Sequence, residues 1–176
     1  MKTTQLLATS LSLVAGLTLL PGAANAAVST ATGTLGTTIT ITANCLVSTN
    51  NAAMNFGSNA STATTNAAAS ASFGVTCTNG TAYNVGLTPA ATTTGGTPST
   101  TGAGTMKNSN GSSIAYNLYQ DSAHNTAWGS TVSTNTESGT GTGSSTTYNV
   151  YGLVAASALN VPAGIYTDTV AINVTY

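Results

Sequence analysis

The last eleven residues of this chain alternate with a period of two, which most constrains what it can fold into. The large side chains share one parity: Tyr166, Val170, Ile172, Val174 and Tyr176. Threonine and asparagine dominate the other parity. Successive side chains of a β-strand point to opposite faces, so this pattern predicts a strand with one buried face. Because the sequence stops within it, we expect this end to be recognised or completed by another strand.

A second alternating segment lies near the start of the sequence. Its apolar parity comprises Leu35, Ile39, Ile41, Ala43 and Cys45, and threonine fills most of the other parity. The pattern predicts one strand, or two in succession, with one buried face.

The first 26 residues are typical of a secretory signal peptide. Met1 and Lys2 supply a short positive region, residues 6–20 are mainly apolar, and residues 24–26 form a small-x-small cleavage site. A membrane anchor is disfavoured because the apolar run is short for a span and a cleavage site follows it. We therefore expect an exported product that begins at Ala27, is not inserted in a membrane, and forms one domain.

Composition favours an all-β domain and excludes several classes of partner. Threonine and valine favour strands, and the Gly, Asn and Ser stretches favour turns. Beyond residue 26 the only charged side chains are Lys107, Asp121, Glu137 and Asp168. A nucleic-acid binder needs clustered basic residues, and a peripheral membrane protein needs a basic or amphipathic face. An uncharged polar surface also gives little protection against self-association, so an assembled state is compatible with it.

The two cysteines, Cys45 and Cys77, form an even pair in an exported chain, which predicts a disulfide. Closing a loop of about thirty residues stabilises the fold by about 3 to 4 kcal/mol in the chain-entropy description. A zinc site is disfavoured, because His124 is the only histidine and oxidised sulfurs do not bind metal.

The region between the ends predicts further strands, about seven in all. Alternation over residues 73–77 and 83–87 around Asn79 and Gly80 predicts a tight hairpin with a primed turn. Asn110 and Gly111 mark a second turn. Three segments without a hydrophobic pattern are predicted as loops: 58–67, 89–104 and 131–145.

Catalytic chemistry finds little support. Asp121 precedes His124 by three residues, but no strained nucleophile turn surrounds any serine. The acidic residues are too scattered to predict a glycosidase pair. We therefore expect no enzymatic activity, no cofactor and no metal. A carbohydrate platform is an open alternative, and its candidate residues are Trp128, Tyr116, Tyr119, Tyr148 and Tyr151, although most of the tyrosines lie at core parity.

Two motifs carry a resemblance to a known family. They are the stretch Ala-Tyr-Asn-Leu-Tyr-Gln-Asp over residues 115–121 and the terminal strand Gly-Ile-Tyr-Thr-Asp-Thr-Val over residues 164–170, continued to Tyr176. With the signal peptide, the alternating arm and the cysteine positions, they resemble the spore coat protein U family. That family includes subunits of archaic, Csu-type chaperone-usher pili. The chain departs from the pattern in its near absence of charge and at Gln120, where the family typically has arginine.

The resemblance implies an immunoglobulin-like sandwich of about seven strands that lacks its last strand. Residues 27–40 would be an N-terminal donor-strand arm, and residues 41–176 would be the incomplete domain. The implied donor residues are Ala31, Leu35, Ile39 and Ile41. The implied acceptor groove, which a chaperone would recognise, comprises Tyr166, Val170, Ile172, Val174 and Tyr176.

The implied function is that of a repeating structural subunit on the cell surface. A periplasmic chaperone would lend a strand to the groove, and an outer-membrane usher would replace it with the arm of the next subunit. The resulting fimbrium, a homopolymer with a tip adhesin, would support attachment and biofilm formation. The alternative is a secreted monomer, either carbohydrate-binding or a spore-coat-type structural protein.

Overall fold

The computed structural model describes residues 28–49, 53–90 and 98–176. The chain divides into two units, residues 1–39 and residues 40–176, and each is described by itself. The signal peptide predicted over residues 1–26 lies outside the described residues.

Residues 40–176 form antiparallel β-structure. Its elements are β1 (Cys45–Ser48), β2 (Ala67–Cys77), β3 (Ala82–Pro89), β4 (Ala103–Lys107), β5 (Ser113–Tyr119), β6 (Glu137–Thr140), β7 (Ser145–Val154), a short 3₁₀ helix (Ala156–Leu159) and β8 (Val170–Thr175). One sheet has the order β1-β2-β7-β5-β4, and the other has the order β6-β3-β8. The predicted all-β, two-sheet architecture is confirmed.

The inward-facing residues of both sheets form the core between them. Alternate positions of the longer strands are buried, as the period of two predicts: Phe73, Val75, Cys77, Tyr83, Val85, Leu87, Tyr148, Val150 and Val154. Trp128 is completely buried among them, and its indole N–H donates a hydrogen bond of 2.9 Å to the backbone oxygen of Val85. This bond satisfies the only polar atom of the indole ring, so the tryptophan can be buried at little cost.

The hairpin predicted around Asn79 and Gly80 is wrong. Strands β2 and β3 belong to different sheets, so the turn carries the chain from one sheet to the other. Gly80 has a φ of 80°, and the N–H of Thr81 bonds to the oxygen of Thr78, but Asn79 does not have positive φ. A primed type I′ turn needs positive φ at both central residues. The turn is therefore not the type that would pair the two strands.

The loop predicted over residues 131–145 is also wrong in part, because it contains the strand β6. This strand pairs with β3 and gave no hydrophobic signal for a physical reason. A Cβ on its inward residue Gly139 would lie 2.5 Å from Cζ of Tyr83 and 2.8 Å from the hydroxyl oxygen of Tyr148. The position needs a residue without a side chain, which leaves nothing apolar for a sequence pattern to detect.

The strand predicted at the start of the mature chain forms only in its last part. Residues 28–44 belong to no strand, and β1 begins at Cys45. The side chains of Leu35, Ile39 and Ile41 are 89%, 83% and 72% exposed, so the predicted buried face is wrong for this state. An isolated strand has neither ladder hydrogen bonds nor a surface against which to bury its apolar face. The pattern is that of a strand without a partner.

Candidate binding cleft

An open cleft of about 700 Å³ lies between the two sheets. One wall is formed by β8 and the residues before it, and the facing wall contains Met54 and Phe56. The floor is apolar and comes from the other sheet, with Phe73, Leu118, Val150 and Tyr116 among its residues. These floor residues are at most 7% exposed, so the accessible apolar surface of the cleft belongs mainly to the half-buried residues of its two walls.

The β8 wall also has a free backbone edge. On one side β8 pairs with β3, from Thr175 opposite Asn84 to Val170 opposite Pro89. On its other side no strand in the described part of the chain pairs with it. An unpaired edge presents a row of N–H and C=O groups that can accept another strand. The cleft therefore combines an apolar floor with a template for backbone hydrogen bonds.

The structure places the predicted groove residues unequally. Tyr166, Val170 and Ile172 are half-buried and line the cleft. Val174 is half-buried and packs against the core beyond the cleft lining. Tyr176 is 58% exposed and borders a separate, shallow depression that also contains Tyr83. Three of the five residues are thus brought together at the cleft.

The facing wall of the cleft was not predicted from the sequence as part of a site, although its residues Met54 and Phe56 are apolar. Met54 and Phe56 lie over Gly152 of β7, where a Cβ would be 2.7 Å from Cζ of Phe56 and would also clash with the sulfur of Met54. The Phe56 ring is 6.2 Å from that of Tyr116. Gly152 therefore gives this wall the space to pack down on β7.

A polar pair interrupts the apolar lining. The Tyr116 hydroxyl donates a 2.6 Å hydrogen bond to Oδ2 of Asp168, and Oδ1 of Asp168 accepts a 2.8 Å bond from the backbone N–H of Thr169. Burial raises the pKa of Tyr116 well above its ordinary value, and the hydrogen bond to Asp168 and its charge raise it further. Tyr116 therefore remains a neutral donor at physiological pH and holds the carboxylate at the cleft.

The predicted disulfide is confirmed. Cys45 and Cys77 are bonded and occupy directly opposed positions on β1 and β2, with their Cα atoms 4.1 Å apart. Cys77 is buried, so the bond joins the short first strand to the core.

Residues considered for other chemistry have structural roles. The Asp121 carboxylate accepts hydrogen bonds from the backbone N–H groups of Asn125 and Thr126, which lower the pKa of Asp121. The His124 ring packs edge-on against Tyr119 at 5.1 Å. Trp128 is buried and so offers no surface for stacking a sugar. Of the other platform candidates, Tyr116 and Tyr148 are also buried, and Tyr119 and Tyr151 are half-buried.

Two further features concern metals and membranes. Within the described ranges, no three His, Cys, Asp or Glu side chains gather in a way that could hold a metal ion. The same residues include no helix of the length and apolarity needed to cross a bilayer.

The sequence profile of the Spore Coat Protein U domain matches residues 31–173. The chain belongs to the spore coat protein U family. No curated protein matches this chain in sequence. It is similar in structure to the pre-assembly complex of CsuC, a chaperone, and CsuE, a tip adhesion subunit, from the archaic chaperone-usher Csu pili of Acinetobacter baumannii. The TM-score is 0.49 and the identity 21%, over 78% of this chain and 40% of that chain.

The spore coat protein U match includes the alternating segment near the start of the chain and most of the terminal one. It begins at residue 31, before the exposed Leu35 and Ile39, and it ends at residue 173, within β8. The arm and the cleft wall are thus both parts of one family domain.

Proposed function

We propose that this protein is a structural subunit of an archaic chaperone-usher pilus, polymerised by donor-strand exchange. The observation that carries the proposal is the free edge of β8 beside an open apolar cleft, in a chain that also has an exposed alternating segment. The arm, residues 27–40 with Ile41, supplies the strand, and the domain over residues 41–176 accepts the strand of another copy.

The physical chemistry of both partners supports the exchange. Leu35, Ile39 and Ile41 are exposed, and burying each in a cleft stabilises the joint by about 1.5 to 3 kcal/mol. Each ladder hydrogen bond to the β8 edge contributes about 0.5 to 1.5 kcal/mol. Ala31 has the same parity in the arm. A strand paired along the whole edge also covers Val174 and Tyr176, which lie beyond the present lining.

The family supports the partners of this pathway. A periplasmic chaperone protects the cleft before assembly, and an outer-membrane usher exchanges the chaperone strand for the arm of the next subunit. The product is a homopolymeric fimbrium with a tip adhesin at the cell surface, and it supports attachment and biofilm formation. In this role the chain is exported through the periplasm after loss of residues 1–26, and it is not an enzyme.

The test compares two single substitutions in the full chain, produced with its chaperone and usher. Leu35→Asp places a carboxylate on the face of the arm that enters the cleft, which costs several kcal/mol if the charge is buried. Thr34→Asp is the matched control, because it adds the same charge on the other face. We expect a ladder of heat-sensitive multimers on a denaturing gel for the wild type and for Thr34→Asp, and only monomer for Leu35→Asp.

A ladder from Leu35→Asp equal to that of the wild type would sink the proposal. A ladder lost equally in both variants would also contradict it, since the effect would then come from charge and not from the face that is buried.

A further inference from the structure

The cleft carries one carboxylate, and its place in the strand pattern is specific. Asp168 has the same parity as Tyr166 and Val170, which line the cleft on either side of it. Three successive inward positions of the β8 wall therefore carry a large, an acidic and a large side chain. Asp168 is half-buried, and its carboxylate is fixed by Tyr116 and by the backbone of Thr169.

The arm carries a matching pattern. Thr37 has the same parity as Leu35 and Ile39 and lies between them. Three successive positions on the apolar face of the arm therefore carry a large side chain, a hydroxyl and a large side chain. All three side chains are exposed in the single chain.

We propose that the Thr37 hydroxyl of one copy donates a hydrogen bond to the Asp168 carboxylate of the next copy and so fixes the register of the donor strand. This inference rests on the proposed function and assigns a specificity-determining contact within it. The occupant of the cleft is thus the arm of a second copy, aligned by its single hydroxyl between two large apolar residues.

The carboxylate has the capacity for this bond. An ionised carboxylate offers about four acceptor positions, and the intramolecular bonds from Tyr116 and Thr169 use one on each oxygen. Thr37 is a donor of the right kind, because a hydroxyl rotates to reach an acceptor and its methyl group packs against apolar neighbours. Hydrogen bonds to an ionised group contribute more than neutral ones.

The two patterns select one register in either strand direction. Over these three residues each pattern is the same forwards and backwards, so Thr37 meets Asp168 between large residues in either direction. A parallel alignment also places Ile41 beside Ile172, and an antiparallel alignment places Ala31 beside Val174. A slip by two residues would put Leu35 or Ile39 against the carboxylate and bury the acceptor positions that Tyr116 and Thr169 do not use without a donor, which is unfavourable. A slip by one residue would turn the apolar face of the arm outward.

The experiment uses multimers of the full chain and measures how fast subunits dissociate in denaturant at fixed temperature. Thr37→Val removes the hydroxyl with almost no change in shape, and Thr38→Val makes the same change on the opposite face. Thr37 is exposed in the arm, so its replacement leaves the domain intact. We expect dissociation to be about ten times faster for Thr37→Val, the loss of one hydrogen bond to a charged group, and unchanged for Thr38→Val.

A second variant identifies the acceptor. Asp168→Asn retains an oxygen for Tyr116 but removes the charge, and in that background Thr37→Val should have little further effect. Equal dissociation rates for wild type and Thr37→Val, or a slower rate for Thr37→Val, would overturn the register contact. The polymer would still form in that case, so the proposed function would survive. Multimers from Leu35→Asp would instead overturn the proposed function itself.

Discussion

At the scale of single residues, two glycines with positive φ allow the energetic cost of backbone strain to be measured apart from that of a steric clash. Gly102 and Gly111 have φ values of 86° and 84°. At Gly102 a Cβ would collide with the backbone of Trp128 and lie 3.2 Å from the oxygen of Leu118, whereas at Gly111 it would meet nothing within 4 Å. Alanine at Gly111 therefore introduces backbone strain alone, whereas alanine at Gly102 introduces backbone strain and a steric clash.

We expect Gly111→Ala to lower the free energy of unfolding by about 1 to 2 kcal/mol, the cost of a left-handed alanine. Gly102→Ala should lower it by about a further 1 to 3 kcal/mol, because the chain must also move away from the new methyl group. Unfolding can be followed by the fluorescence of Trp128, the single tryptophan, which is buried. Equal losses for the two variants would contradict the close packing between Gly102 and Trp128.

The tyrosines give a prediction in alkaline solution. Burial raises the pKa of Tyr116 and of Tyr148 above the ordinary value of 10.0. Above about pH 10 the unfolded chain loses these protons and the folded chain keeps them, so stability falls as pH rises. Each group contributes up to about 1.36 kcal/mol per pH unit. We expect Tyr116→Phe to reduce this slope by about half between pH 10 and 11.5 in urea-unfolding measurements, and an unchanged slope would be the contrary result.

At the scale of elements, the short strand β1 depends on its disulfide. It is an edge strand of four residues, paired with β2 and linked to it through Cys45 and Cys77. Replacing both cysteines with alanine should lower the free energy of unfolding by about 3 to 4 kcal/mol, chiefly by freeing the unfolded chain. Urea unfolding of the double variant and of the reduced wild type should agree. A loss below about 1 kcal/mol would show that β1 is held mainly by other contacts.

The strands that could be predicted from the sequence are those that bury large side chains on one face. The alternation in β2, β3, β5 and β8 marks their inward residues, and Cys45 and Cys77 were paired correctly. Strand β6 could not be predicted, because Gly139 leaves space for two tyrosines and supplies no apolar signal. The assignment of β2 and β3 to different sheets was also missed, since alternation shows which face of a strand is buried but not which strand lies beside it.

The candidate cleft, like the fold, was only partly predicted from the sequence. Alternation identified Tyr166, Val170 and Ile172, which line the cleft. It could not show that Phe56 would form the opposite wall, because that residue belongs to no strand. Nor did it indicate the bond between Tyr116 and Asp168, which joins residues 52 positions apart.

At the scale of the whole molecule, the proposed exchange assigns the two alternating segments to different copies. Strand β8 offers its edge, and the arm offers its apolar face. A contact between two different surfaces of identical subunits is heterologous and extends into an open filament unless its rotation closes a ring. The near absence of charge also removes the repulsion that would otherwise oppose such self-association.

Amide hydrogen exchange of the arm, measured in assembled multimers and in the unassembled full chain, tests this account most directly. Residues 28–43 belong to no strand in the single chain, so their amides should exchange rapidly before assembly. In multimers we predict that about every second amide of residues 31–41 becomes strongly protected, as expected for one new strand paired along one edge, together with the outer-edge amides of β8. Arm amides that exchange as rapidly in multimers as in the unassembled chain would contradict the account.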